Sequence, residues 1–116
     1  MNIEEYRDYC MSFPQTSEGF PFDEKTLVFK VAGKMFALAD VEDFSSVNLK
    51  CDPEKAIQLR EEFPEVMPGY HMSKKHWNTV EVNSGVDDDK IKEWIKDSYD
   101  LVVQSLTKKL RTELGL

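Results

Sequence analysis

The chain is poor in the residues that cross-link, bind metals or do nucleophilic chemistry. Only two cysteines and two histidines occur in its 116 residues. Cys10 and Cys51 stand far apart, with no CxxC and no Cys/His ligand spacing. That argues against a disulfide framework and a structural zinc site, and makes reduced thiols the expectation. No segment approaches the roughly 20 consecutive apolar residues of a membrane-spanning helix. The opening "MNIEEYRDYC" has two glutamates by position five and no apolar run, so it reads as neither a secretory leader nor a transit peptide, and a cytoplasmic location without membrane contact is expected. A glycine-rich phosphate loop, a Ser/His/acid arrangement and a recognisable carboxylate pair are all missing. No catalytic residue, metal ligand or cofactor is assigned on these grounds, and an enzyme is the least supported class.

Positive charge is also scarce, with 15 basic against 22 acidic residues, a net charge of -7 and a pI near 4.8. Such a chain repels polyanions on average, because nonspecific nucleic-acid affinity comes from Lys and Arg displacing phosphate counterions. Distribution alters that conclusion. Three stretches contain no acid: Lys25 to Ala39, Val66 to Val80 and Leu101 to Thr112. They hold eight of the 15 basic residues, leaving seven to face all 22 acids elsewhere. The middle stretch includes "PGYHMSKKHWN", which gathers both histidines, two lysines, a tyrosine and a tryptophan.

With 41% apolar and 32% charged residues spread throughout, residues 1–116 suit one globular domain that needs neither metal nor disulfide. "NIEE" reads as a capping box from Asn2 to Glu5 that opens a helix ending near Ser12. "QTSEGFPFDE" reads as a loop whose Phe20 and Phe22 plug the core. "TLVFKVAGKMFALAD" predicts a β-hairpin, Thr26 to Ala32 and Met35 to Asp40, joined at Gly33 and Lys34. "SVNLKC" alternates as a strand with Asn48 and Lys50 on its wet face. Asp52 and Pro53 then start a helix that stops at Phe63, before Pro64. A second hairpin is expected over Tyr70 to Ser73 and His76 to Val82, closed by either a two-residue or a four-residue loop. Its register puts Tyr70, Met72 and Trp77 on one face, against the helices, and His71, Ser73, His76 and Asn78 on the other. Val80 and Val82 break that pattern. Asp87 or Asp88 caps a helix with Ile91, Trp94 or Ile95, Tyr99 and Val102 inward, and Thr107 starts a short last one. The order is α-βββ-α-ββ-α-α. It implies a two-layer α+β domain, an antiparallel five-stranded sheet with helices on one face.

The segments "FPFDEKTLVFKVAGKMFAL", "VNLKCDPEKAIQLREEFP", "PGYHMSKKHWNTV" and "SYDLVVQSLTKKLR" together resemble the MmcQ/YjbR family of small bacterial proteins, in the same order and over nearly the whole chain. The resemblance implies a fold similar to that of type III secretion chaperones. It also implies two projecting hairpins like the double wing of some transcription regulators, and DNA binding through them. The wings would be the hairpins tipped by Gly33-Lys34 and by Lys74-Lys75. The family carries no catalytic residue to this chain.

The candidate nucleic-acid contacts are therefore Lys34, Lys74 and Lys75 at the tips, with Lys30, Lys108, Lys109 and Arg111 auxiliary, and His76 with Asn78 as closer readers of the bases. Lysines at hairpin tips also serve solubility and block edge pairing. His71 and His76 are too few for a metal. Cys51 precedes a helix N-terminus, where a thiolate gains from the amide dipoles, yet it shares strand parity with Val47 and Leu49 and reads as a buried, inert thiol. The alternative function is an interaction module that receives a partner peptide on its sheet. Nothing in the sequence demands more than a monomer.

Overall fold

A computed structural model describes the whole chain, residues 1–116. Its four helices are α1 (Ile3–Met11), α2 (Pro53–Glu62), α3 (Asp88–Gln104) and α4 (Lys108–Leu114). Its strands are β1 (Thr16–Gly19), β2 (Thr26–Val31), β3 (Lys34–Asp40), β4 (Ser46–Lys50), β5 (Val66–Pro68) and β6 (Trp77–Glu81). They form one sheet in the order β1-β2-β3-β4-β6-β5, and every neighbouring pair is antiparallel.

The local signals at the helix ends act as expected. Glu5 N donates to Asn2 Oδ1 at 2.8 Å and Asn2 N to Glu5 Oε1 at 3.1 Å, which satisfies two amides that the first turn of α1 would leave open. Asp52 caps α2 ahead of Pro53, and Thr107 accepts from Leu110 N to start α4. Asp87 occupies the cap position of α3 without a side-chain bond. Asp88 instead holds the Met1 amine at 2.9 Å.

The β2–β3 hairpin turns one residue earlier than the sequence suggests. Val31 pairs with Lys34, so Ala32 and Gly33 form the loop, at φ 51° and 77°. Two left-handed residues twist the strands in the sense a tight hairpin needs. Glycine adopts this at no steric cost; alanine does not. Further along, Phe29 pairs with Ala37 but Lys30 with Met35. The extra residue, Phe36, forms a bulge that lets Phe36 and Ala37 both reach the core.

Leu27, Phe29 and Val31 of β2, Val47 and Leu49 of β4, and Val80 of β6 face the helices, and pack with Tyr6, Ile91, Ile95 and Val102. Each of these large side chains contributes roughly 1.5–3 kcal/mol by burial. The opposite face has only a small apolar cluster, Val28, Leu38 and Trp77, covered by Met35 and Met72.

Three expectations are corrected. The sheet has six strands, because "TSEG" pairs with β2 as an edge strand although its own residues have no strand pattern. The partner of β6 is Val66–Pro68, whereas residues 70 to 73 form no strand. Phe20 and Phe22 are exposed rather than plugging the core, Phe22 by 63%.

Ala32→Asn, which tolerates the left-handed turn and creates an Asn-Gly loop, is expected to stabilise the protein by about 0.5–1 kcal/mol. Urea denaturation monitored by circular dichroism measures it; a loss of stability would contradict the assigned turn.

Candidate functional site

Antiparallel pairing assigns every connection to one of two ends of the sheet, and the charges divide between them. At one end lie the β2–β3 turn with Lys34, the last residue of β4, Lys50, and the segment that enters β6 opposite Lys50. Lys34 Nζ donates to Ser105 Oγ at 3.4 Å. That contact brings the turn to the C-terminus of α3, where cations are favoured, and beside the start of α4. Gln15, just before β1, donates to Leu114 O at 3.2 Å, so α4 also lies at this end. Lys30, Lys34, Lys50, Lys74, Lys75, Lys108, Lys109 and Arg111 thus lie along one end of the molecule. Acids lie there too: Asp52 at the cap and Glu54 in the first turn of α2, Asp97 against Lys55, and Glu113 in α4.

The other end is acidic. It carries Asp40, Glu42 and Asp43 of the β3–β4 connection, Asp23 and Glu24 before β2, and Asp87 to Asp89 at the start of α3. Lys25 belongs to this end, paired with Glu42 at 3.3 Å. β3 is seven residues long, which at about 3.3 Å per residue separates the two ends by about 20 Å, against a Debye length of about 8 Å in physiological salt. An anion at the basic end is therefore screened from the carboxylates of the acidic end.

Ion pairing sets the candidate cations apart. Arg7, Lys25, Lys55, Lys90 and Lys96 each lie within 4 Å of a carboxylate. The candidate cations Lys30, Lys34, Lys74, Lys75, Lys108, Lys109 and Arg111 make no ion pair. Lys50, Arg60 and Lys92, not among the candidates, also make none, and of these Lys50 lies at the basic end. Its place on the wet side of the alternating "SVNLK" was the signal available for it.

The second wing is the largest departure. Residues 69–76 form a loop whose first half lies over the open face of the sheet. Gly69 fits there because a Cβ would meet that of Trp77 at 2.7 Å. Tyr70 N donates to Thr79 Oγ1 at 2.9 Å, Asn48 Nδ2 donates to Tyr70 O at 3.3 Å, and Met72 packs in the outer apolar cluster. The second half, with Lys74, Lys75 and His76, is exposed. Lys74 Nζ is partly engaged, donating to Gly69 O at 3.0 Å. Lys75 has no such contact.

Asn78 cannot read a base. It is 2% exposed and faces the helices with Val80, where Oδ1 accepts from Arg60 Nε at 2.7 Å and Nδ2 donates to Ala56 O at 3.4 Å. The register expected for β6 is thus inverted: Val80 and Val82 belong to the core, and Trp77 points away from it. Arg60 also donates to the carbonyls of Trp77 and Lys74. It is the residue that sequence reasoning missed, since nothing in a helical "LREE" announces a clamp on a distant loop.

His71 lines a groove on the open face, while His76 sits in the turn that leads into β6. No group of three His, Cys, Asp or Glu side chains converges as a metal site requires. Burial pushes the Cys51 thiol up, with Lys55 pulling weakly the other way, and burial pushes Cys10 up further. Neither favours thiolate chemistry at neutral pH.

The YjbR family model matches residues 11–101. The chain is 35% identical over 101 residues to YbdF, an uncharacterized protein of Escherichia coli O157:H7, covering 86% of this chain and 83% of that one. It is 34% identical over 112 residues to YjbR, an uncharacterized protein of Escherichia coli K12, covering 96% and 95%. The crystal structure of the Deinococcus radiodurans protein DR2400, a DUF419 domain, superposes with a TM-score of 0.94 at 40% identity, over 99% of this chain and 88% of that one.

Arg60→Met leaves the buried Asn78 oxygen without its donor. It is expected to cost about 1–3 kcal/mol and to speed amide exchange across residues 69–76, whereas Lys75→Met should change stability by no more than about 0.5 kcal/mol. Hydrogen exchange with denaturant melts reads both. At pH 7.5, iodoacetamide is expected to alkylate Cys51 at least roughly fivefold more slowly than free cysteine, followed by mass spectrometry; equal rates would show an accessible thiolate.

Proposed function

The chain belongs to the YjbR family, and from that footing we propose that it binds the phosphate backbone of duplex DNA through the basic end of its sheet, as a monomer and without catalysis. The observation that carries this reading is that all seven candidate cations lack a carboxylate partner, in a protein of net charge -7. Cations left unpaired and gathered at one end are available to displace counterions.

Lys34 and Lys75 are the principal phosphate contacts. Both are exposed, and the strands that carry their connections, β3 and β6, are separated only by β4, about 10 Å across two strand spacings. Lys74 supports the loop as well as adding charge, through its bond to Gly69. Lys108, Lys109 and Arg111 extend the surface along α4, and Lys30 and Lys50 extend it onto the open sheet face. His76 is the remaining candidate for a contact nearer the bases. With Asn78 buried, the reading favours backbone contact over base readout, hence weak sequence preference.

Fluorescence anisotropy with a labelled duplex tests this. Four to six phosphate contacts predict a slope of log affinity against log salt of about -4 to -5, and Lys34→Glu with Lys75→Glu should make the slope shallower by about 2 and lower affinity at least tenfold. Lys25→Glu with Lys90→Glu changes the net charge equally at the acidic end and should do far less. Equal losses in the two double variants would reduce the effect to net charge and remove the site.

A further inference from the structure

The open face of the sheet carries a groove of about 440 Å³ near the acidic end, within the range of small-molecule sites. It lies between the segment before β2 and the loop at residues 69–76. Phe22 lines it from the first, and Tyr70 with His71 from the second. Phe22 is 63% and Tyr70 68% exposed, an unusual solvent exposure for two large rings facing one concavity. Tyr70 and His71 sit with ring centroids 4.0 Å apart and their planes tilted by 50°, so that wall is aromatic.

The polar groups give the groove a sign. Its lining includes Asp23 and Asp40 and no Lys or Arg. Asp40 Oδ1 accepts from the backbone of Glu42 and Asp43 at 2.8 and 3.0 Å, which orients the carboxylate and leaves Oδ2 without a protein donor. Asp23 accepts from Lys25 N, Thr26 N and Thr26 Oγ1, and these donors hold its carboxyl below the usual range. Lys25, the basic residue closest in sequence, has its ammonium on Glu42 instead. Asn48 and Thr79, also in the lining, are bonded to each other at 2.5 Å.

We infer that this groove binds a small, flat organic cation, an amidinium, a guanidinium or a protonated aromatic amine, with its ring plane between Phe22 and Tyr70 and its charged end at Asp40. The aromatic faces attract a cation through their quadrupoles, and a carboxylate matches a planar N–H fork. The site goes beyond phosphate binding: it differs in sign, lies toward the opposite end of the sheet and stands or falls without it.

Benzamidine, benzamide and benzoate share a shape and differ in charge, so they separate recognition of the cation from apolar stacking. In amide NMR titrations at pH 8, benzamidine is expected to give saturable shifts at residues 22–23, 40, 48 and 70–72, with benzamide at least tenfold weaker and benzoate without effect. Asp40→Asn keeps the oxygen that accepts from Glu42 and Asp43, and should weaken benzamidine about five- to tenfold while leaving benzamide unchanged. Phe22→Ala removes an exposed ring with no threat to the fold, and should weaken both ligands. The inference is overturned by benzoate binding as well as benzamidine, by shifts spread over the acidic end, by an Asp40→Asn variant of unchanged affinity, or by no saturable shift at about 10 mM.

Discussion

Side-chain alternation along β6 governs the rest of the molecule. Val80 and Val82 are core residues, and a strand's period of two then commits Asn78 inward and Trp77 outward. Each commitment creates a need. The buried Asn78 amide requires hydrogen bonds, which Arg60 and the Ala56 carbonyl provide. The outward indole requires cover, which Met72 and Met35 provide. Arg60, once fixed by Asn78, also reaches the Lys74 carbonyl, and Met72 draws its own loop down onto the sheet. The loop is thus held from both sides. Its folded posture is a consequence of core packing rather than of its own turn chemistry.

Both proposed surfaces inherit from that arrangement. The half of the loop on the sheet supplies Tyr70 and His71 to the groove, and the other half presents Lys75 and His76 at the end of the sheet. Antiparallel connectivity does the rest. Connections at one end carry lysine and those at the other carry aspartate and glutamate, and the strands hold the two sets about 20 Å apart. A net charge of -7 therefore describes neither end. Polarity of this kind lets an acidic protein offer a basic surface, since salt screens the distant carboxylates more than the nearby ammonium groups.

Much of the fold was legible because its signals are local. Asn2 with Glu5, Asp52 with Pro53, and Thr107 mark helix starts through contacts within one turn. The β-branched and aromatic run from Thr26 to Asp40 marks a hairpin in the same way. The edge strand at "TSEG" was not legible, because four short polar residues become a strand only by pairing with β2. The bulge at Phe36 and the short β5 depend likewise on a partner strand. For the candidate site, the acid-free stretches pointed to seven cations, and in the fold these make no ion pair with a carboxylate. Asn78 was misread because an amide beside two histidines and two lysines looks like surface until the parity of its strand is known.

The sequence by itself determined the helices and their order, the β2–β3 hairpin, the helix caps, the two-layer α+β class and the segregation of charge along the chain, since all of these rest on neighbours a few residues apart. Only the tertiary structure decided which face of β6 is buried, what Arg60 holds, that Phe22 and Tyr70 line one groove, and that three separate basic stretches share one end. Those outcomes depend on pairings between residues distant in sequence. Their energies become available only when the sheet is assembled and its buried polar groups have found partners.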